Sequence, residues 1–252
     1  MSTLLVLGSK PDPVLPPGLS YDHIACANAS GFSAAKYGLS TPTYTVMSAI
    51  LTATASGSQS LQALAGLATD TLYFLPRPVQ GRSPLKKALQ HLKIIRMKPF
   101  YLKWKLRSLS YRYNRFITMD YAYYHTLVKE LCGYDPKVLE QLERKQPSTG
   151  VAALALGMAQ QKYQRYILSG FSFELTHGYA DNPEIDERGT VTSKHANTDV
   201  VVINYLSKKY GNIYTTERVV NERAGVPLFE EGAGRVQEPV VRQSCGAAND
   251  EL

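Results

Sequence analysis

The heptapeptide Ser193-Lys194-His195-Ala196-Asn197-Thr198-Asp199 holds the side chain best suited to moving a proton at neutral pH. It follows a polar stretch containing Gly178, Pro183 and Gly189, and precedes a run with Val201, Val202, Tyr205 and Leu206 at helical spacing, closed by Gly211. A histidine at that junction sits at the positive end of a helix. The imidazolium is disfavoured there, and a neutral imidazole is ready to act as a general base. Asp199 is four residues on and falls on the same helical face. The plainer alternative for a lone histidine is a surface or capping role, and either Asn197 or Thr198 is a natural cap for this helix. The remaining histidines, His23, His91, His125 and His177, form no HxxxH or HExxH pattern, which argues against a histidine-built metal site.

A second place for chemistry is the junction Gly8-Ser9-Lys10-Pro11. In open α/β sheets ligands bind beyond the carboxyl ends of strands, and a glycine there lets backbone N–H groups approach a phosphate. The junction is neither GxGxxG nor a Walker loop, and a simple strand end followed by a turn accounts for it equally well. The chain also has no Asp-x-Asp, the carboxylate pair with which many sugar transferases hold a metal on a diphosphate leaving group. A donor that departs with a single phosphate has less charge to neutralise, and hydroxyls, amides and N–H groups can serve. The absence permits that chemistry without requiring it.

These residues need a scaffold, and the patterning describes one. Short apolar runs at residues 3–7, 23–28, 43–47 and 71–75 predict buried strands, with a helical stretch at 58–68. Ser148 caps a predicted helix starting near Gly150, residues 165–173 read as a strand, and residues 212–216 as another. Strands alternating with helices predict an α/β, Rossmann-like, mostly parallel sheet. Leu85, Ala88, Leu89, Leu92 and Ile95 form one helical stripe, and Leu102, Leu106, Leu109, Tyr113 and Phe116 continue it after Pro99. Residues 80–135 therefore read as a helical insertion. The expected organisation is one domain over residues 1–235 with a lid at about 173–195 and a disordered tail at 236–252.

The net charge of +7 is concentrated: between Asp70 and Asp120 no acidic residue occurs, while twelve Lys and Arg crowd in among tyrosines and Trp104. Such a one-sided field favours an anionic partner, either an acidic glycan, lipid phosphate or nucleic acid. The plain alternative is a pair of amphipathic helices whose lysines face water. Cys26, Cys132 and Cys245 are few and far apart, which fits a reducing compartment rather than a disulfide framework. With no signal peptide or apolar spanning run in the 252 residues, the expected location is cytoplasmic, at most peripheral at the inner membrane face.

Taken in order, Gly8-Ser9-Lys10-Pro11, Cys26-Ala27-Asn28, Ser148-Thr149-Gly150, the run from Tyr166 to Phe173 and His195-Ala196-Asn197-Thr198-Asp199 resemble the bacterial sialyltransferases of glycosyltransferase family 42. Residues 50–145 carry none of the resemblance. It implies a single Rossmann-like, GT-A-like domain with a lid, a cytidine-monophosphate (CMP) sugar as donor, a glycan or glycolipid acceptor and no metal or other cofactor. Gly8 and Ser9 would lie along the nucleotide and Asn28 would contact it. Thr149 and Gly150 would face the phosphate, Tyr179 in the lid would approach it as it departs, and Ser48 would hold the place of a donor-binding asparagine. His195 would deprotonate the acceptor hydroxyl. The chain differs from the family pattern at Gln146 (arginine), Ser172 (an acidic residue) and Glu174 (tyrosine), and His195 lies one residue nearer the Asn-Thr-Asp. These differences fall on the donor side and keep a second acidic sugar, Kdo, alongside sialic acid. The alternatives are a relative without transferase activity and a non-catalytic nucleic-acid binder using residues 82–115; no nucleic-acid module is present to favour the last.

Overall fold

The computed structural model describes residues 2–76, 94–174 and 192–230. Tyr179, the segment 77–93, most of the expected lid and the expected tail lie outside the described residues.

Seven strands form one sheet: β1 (Thr3–Leu7), β2 (His23–Ala27), β3 (Tyr44–Ser48), β4 (Ala68–Leu75), β5 (Arg112–Thr118), β6 (Arg165–Ser169) and β7 (Ile213–Thr215). Their order is β5-β4-β3-β2-β1-β6-β7, and every neighbouring pair is parallel. β1 shows why the apolar runs are unbroken: all five of its residues are buried, as a strand covered on both faces requires.

The helices divide between the two faces. Alternate residues of β1 go opposite ways: Leu4 and Val6 join one core, Leu5 and Leu7 another. The first core is closed by α4 (Tyr121–Leu131), α5 (Pro136–Arg144), α6 (Thr149–Ala159), α7 (Ala196–Tyr210) and α8 (Arg218–Ala224). The other face carries α1 (Gly31–Lys36), α2 (Ala55–Gln62) and α3 (Pro99–Ser108). Helix α6 is buried from Gly150 to Met158 and lies over the sheet's centre. Its small residues make that fit possible: a Cβ on Gly157 would fall 2.4 Å from Leu4 Cδ2.

The strands expected at 3–7, 23–28, 43–47, 71–75 and 212–216 are present, as is the helix capped by Ser148. The strand expected over 165–173 ends at Ser169, where Gly170 turns with φ 70°. The helix expected at 58–68 is Ala55–Gln62, because Thr54 caps it earlier and Ala68 already enters β4. The helical stripe expected through Tyr113 and Phe116 is not formed. Ser110 takes a left-handed φ of 54° after α3, and Arg112 N donates to Leu67 O, so the chain leaves the helix and enters the sheet. Phe116 then stacks on Phe74 with centroids 6.2 Å apart. An i, i+3 pair of aromatics satisfies a helical period as well as a twisted edge strand, and pairing with β4 decided between them. Residues 112–118 thus belong to the sheet rather than to a purely helical insertion.

Strand order reverses between β1 and β6. After β5 the chain crosses back through α4, α5 and α6 to the far side of β1. The carboxyl ends of β1 and β6 therefore diverge into separate loops, which is where an open α/β sheet makes its crevice.

Candidate functional site

The two loops at that crevice touch. Gly8 N donates to Ser169 O at 2.8 Å and Lys10 N to Gly170 O at 2.9 Å. A Cβ on Gly8 would lie 2.3 Å from Gly170 O, so only glycine allows the approach. Gly170 itself has φ 70°. Glu217, just before α8, ties both loops down. Its Oε1 accepts from Val14 N and Gly170 N, each at 2.9 Å, and its Oε2 meets Lys10 Nζ at 2.8 Å. The side chain is only 3% exposed, so the carboxylate is held by three donors in place of water. Sequence reasoning missed Glu217; nothing in its local pattern announces partners 47, 203 and 207 residues upstream.

The next wall comes from β2 and β3. Asn28, at φ 54°, ends β2, and its Oδ1 accepts from Ser48 N at 3.1 Å. Ser48 begins a 3-10 turn, Ala49–Thr52, and Thr54 then caps α2 by accepting from Gly57 N at 3.1 Å. Thr54, Ser56, Gly57 and Ser60 all reach the crevice, a contribution absent from the expected site because residues 50–145 carry none of the resemblance.

The third wall is the segment 146–150. Ser148 caps α6 through Val151 N, its own N–H donates to Asp199 Oδ1 at 2.7 Å, and its carbonyl accepts from Tyr124 Oη at 3.4 Å. Gly150 leaves room for Phe171, whose Cε1 would stand 2.7 Å from any Cβ there. His195, not Asn197 or Thr198, is the N-cap of α7, and its side chain makes no capping bond. The ring instead turns to the same segment: Nδ1 lies 2.7 Å from Gln146 O. A carbonyl oxygen can only accept, so Nδ1 carries the proton and the basic lone pair is on Nε2.

Together these walls enclose a cleft of about 300 Å³. Gly8, Ser9, Asn28, Ser48, Thr149, Gly150, Ser172 and His195 all line it. These are the expected site residues that fall within the described part of the chain. Gln146 and Glu174, two of the positions that differ from the family pattern, line it as well.

Helix ends in the cleft could receive an anion beside its two carboxyl groups, Glu174 and Asp199. The N-termini of α2, α6 and α7 all open onto the cleft, each presenting first-turn N–H groups and positive dipole ends. Asp199 sits at the first turn of α7; burial pushes its carboxyl up to about 7, against the lowering effect of the Ser148 hydrogen bonds. Among the described residues no group of three His, Cys, Asp or Glu is placed to hold a metal ion. Cys26 and Cys132 are buried away from the cleft, and burial raises each thiol to about 12.

No family model and no curated protein sequence matches the chain. Solved structures do. Two single-substitution variants of the sialyltransferase CstII in complex with CMP align with TM-scores of 0.52 and 0.53, at 14% and 12% identity, over 89% and 90% of this chain and 86% of theirs. CstII with a trisaccharide acceptor and CMP aligns at 0.50 with 15% identity, over 89% of this chain and 86% of that one. CstII comes from Campylobacter jejuni. The chain has the fold of CstII. At these identities the likeness is one of fold, and the chemistry must be argued from the cleft.

Proposed function

We propose that this chain is a glycosyltransferase that moves an acidic sugar from a CMP donor to a glycan acceptor, as a divergent member of bacterial family 42. Sialic acid and Kdo are the sugars in question, and surface polysaccharide the product. The observation that carries the proposal is the convergence, in one cleft, of an oriented imidazole with three helix N-termini. That combination supplies a base and an anion cradle within one cleft.

The steps follow from the placement. The acceptor hydroxyl gives its proton to Nε2 of His195 while its oxygen bonds to the anomeric carbon. The bond from that carbon to the phosphate oxygen breaks with inversion, and CMP leaves with the electron pair. Charge growing on the phosphate is met by N–H groups of the first turn of α6, at Thr149 and Gly150, which are already oriented before reaction, with the Gly8-Ser9 loop alongside. The imidazolium that forms keeps its Nδ1–H bond to Gln146 O, which strengthens as the ring becomes charged. On this mechanism the phosphate needs no metal. Asp199 is not a relay partner, because its Oδ1 holds Ser148 N.

The test is His195→Ala, assayed with CMP-sialic acid and CMP-Kdo, beside thermal shifts with CMP, CDP, UDP and NAD. Transfer should fall at least about 100-fold, the usual loss for a general base, while stabilisation by CMP persists. Full activity in the variant, or stabilisation of the wild type by NAD alone, refutes the proposal.

A further inference from the structure

Helix α3 has two faces of opposite character. Leu102 and Leu106 are buried against the sheet side, whereas Phe100 is 60% and Trp104 57% exposed. Phe100 and Trp104 are one turn apart and stand side by side on the outward face. Ile95, just upstream, is 48% exposed. Lys103 and Arg107 fall on the same face by helical spacing, and both are exposed. Tyr101 packs its ring 5.4 Å from that of Trp104, which holds the indole in place on the surface. Arg96 and Lys98 lead into the helix, and no acidic residue occurs anywhere between Asp70 and Asp120.

Soluble domains seldom leave two large aromatics side by side on a packed helix, with an exposed aliphatic just before it in the chain, without a partner for them. We infer that α3 is the face on which this protein docks to an anionic bilayer. Ile95, Phe100 and Trp104 enter the boundary between headgroups and acyl chains, and Lys98, Lys103 and Arg107 extend to the lipid phosphates. Charge complementarity sets the occupant as an anionic surface, and shape and chemistry set it as lipid. A nucleic-acid strand is held in a groove with bases stacked on rings. The α3 face is a convex helix flank, and the aliphatic Ile95 gives a base nothing to stack on.

The face is coupled to the cleft by a short path. Thr52 Oγ1 donates to Arg96 O, and the turn that Thr52 ends runs into Thr54 and Ser56 of the cleft wall. Docking through α3 would thus hold the cleft close to the membrane surface, where a lipid-borne glycan acceptor is presented. That last consequence rests on the proposed transferase function; the docking does not.

Trp104 is the chain's single tryptophan, so its emission reports on this face alone. The full chain is titrated with vesicles of phosphatidylcholine mixed with phosphatidylglycerol, with pure phosphatidylcholine vesicles, and with an RNA oligonucleotide. A saturable blue shift with the mixed vesicles only, weakened by salt, is expected. Lys103→Glu/Arg107→Glu should reduce partitioning at least about tenfold, and Phe100→Ser should reduce it with the charges intact. Circular dichroism confirms that each variant is folded. No blue shift with mixed vesicles, unchanged partitioning by both folded variants, or a shift with RNA alone overturns the inference. Thermal shift with CMP on the same samples separates the two ideas: a wild type that ignores CMP but binds vesicles defeats the transferase function and leaves docking standing.

Discussion

Replacing Asp199 by asparagine isolates one buried charge. Asp199 is only 5% exposed, and its carboxyl is pushed up to about 7 by burial. In the unfolded chain an aspartate titrates near 3.9. The folded state therefore binds this proton more tightly. The contribution to stability is fully present below about pH 4 and is lost as pH rises through about 7. A shift of about three units corresponds to about 4 kcal/mol, at ~1.4 kcal/mol per unit. The asparagine of Asp199→Asn would keep an oxygen for Ser148 N and carry no charge, so the variant should show no such loss. Its stability relative to wild type should thus grow by up to about 4 kcal/mol between pH 4 and pH 8, a urea midpoint difference of about 1–2 M. Asp12 and Asp70, whose carboxyls lie below their ordinary range through hydrogen bonds from Lys36 and Asn114, act in the opposite sense but equally in both proteins. Urea unfolding of the two proteins at pH 4.5, 6 and 8 measures the difference. A difference that is flat across this range, or that favours wild type as pH rises, refutes the assignment of a buried, desolvated carboxyl.

Two further substitutions test the crevice between β1 and β6. Gly8→Ala places a methyl against Gly170 O, a backbone atom that cannot yield without moving the loop. It should cost about 1–3 kcal/mol in thermal unfolding and abolish the thermal shift produced by CMP; an unchanged melting curve would show that the loops are not locked together. Glu217→Ala leaves Val14 N, Gly170 N and the Lys10 ammonium without their shared acceptor. A loss of about 3–5 kcal/mol is expected by chemical denaturation, and Glu217→Gln should recover part of it, since its amide oxygen can still accept.

What the sequence disclosed follows physical lines. The parallel strands were legible because burial on both faces forces unbroken apolar runs, as in Thr3–Leu7. Ser148 and Gly211 were legible as helix ends because capping is a local interaction. β5 was not, because its edge position leaves Arg112, Asn114 and Arg115 exposed and erases the alternation that marks a strand. Within the cleft, the residues seen in advance are those near strand ends and helix starts. The ones missed are the α2 wall from Thr54 to Ser60, a backbone N-terminus with no distinctive side chain, and, behind the cleft, Glu217, which ties its loops through partners distant in sequence.

The same distinction explains why His195 looks ordinary in isolation. Its local sequence offers only a helix start, and the structure gives the ring no capping role there. What distinguishes it is Gln146 O, 49 residues upstream, which fixes the tautomer. Two residues after Gln146, Ser148 opens α6 toward the cleft and is gripped by Asp199 from the first turn of the histidine's own helix. The imidazole and the first turn of α6 are therefore positioned by one short segment, 146–148, clasped to α7 at both ends. A movement of α7 relative to the sheet would displace the imidazole and the first turn of α6 together. On the proposed transferase function, this shared anchoring would keep the distance between proton acceptor and phosphate constant, as an oriented displacement requires.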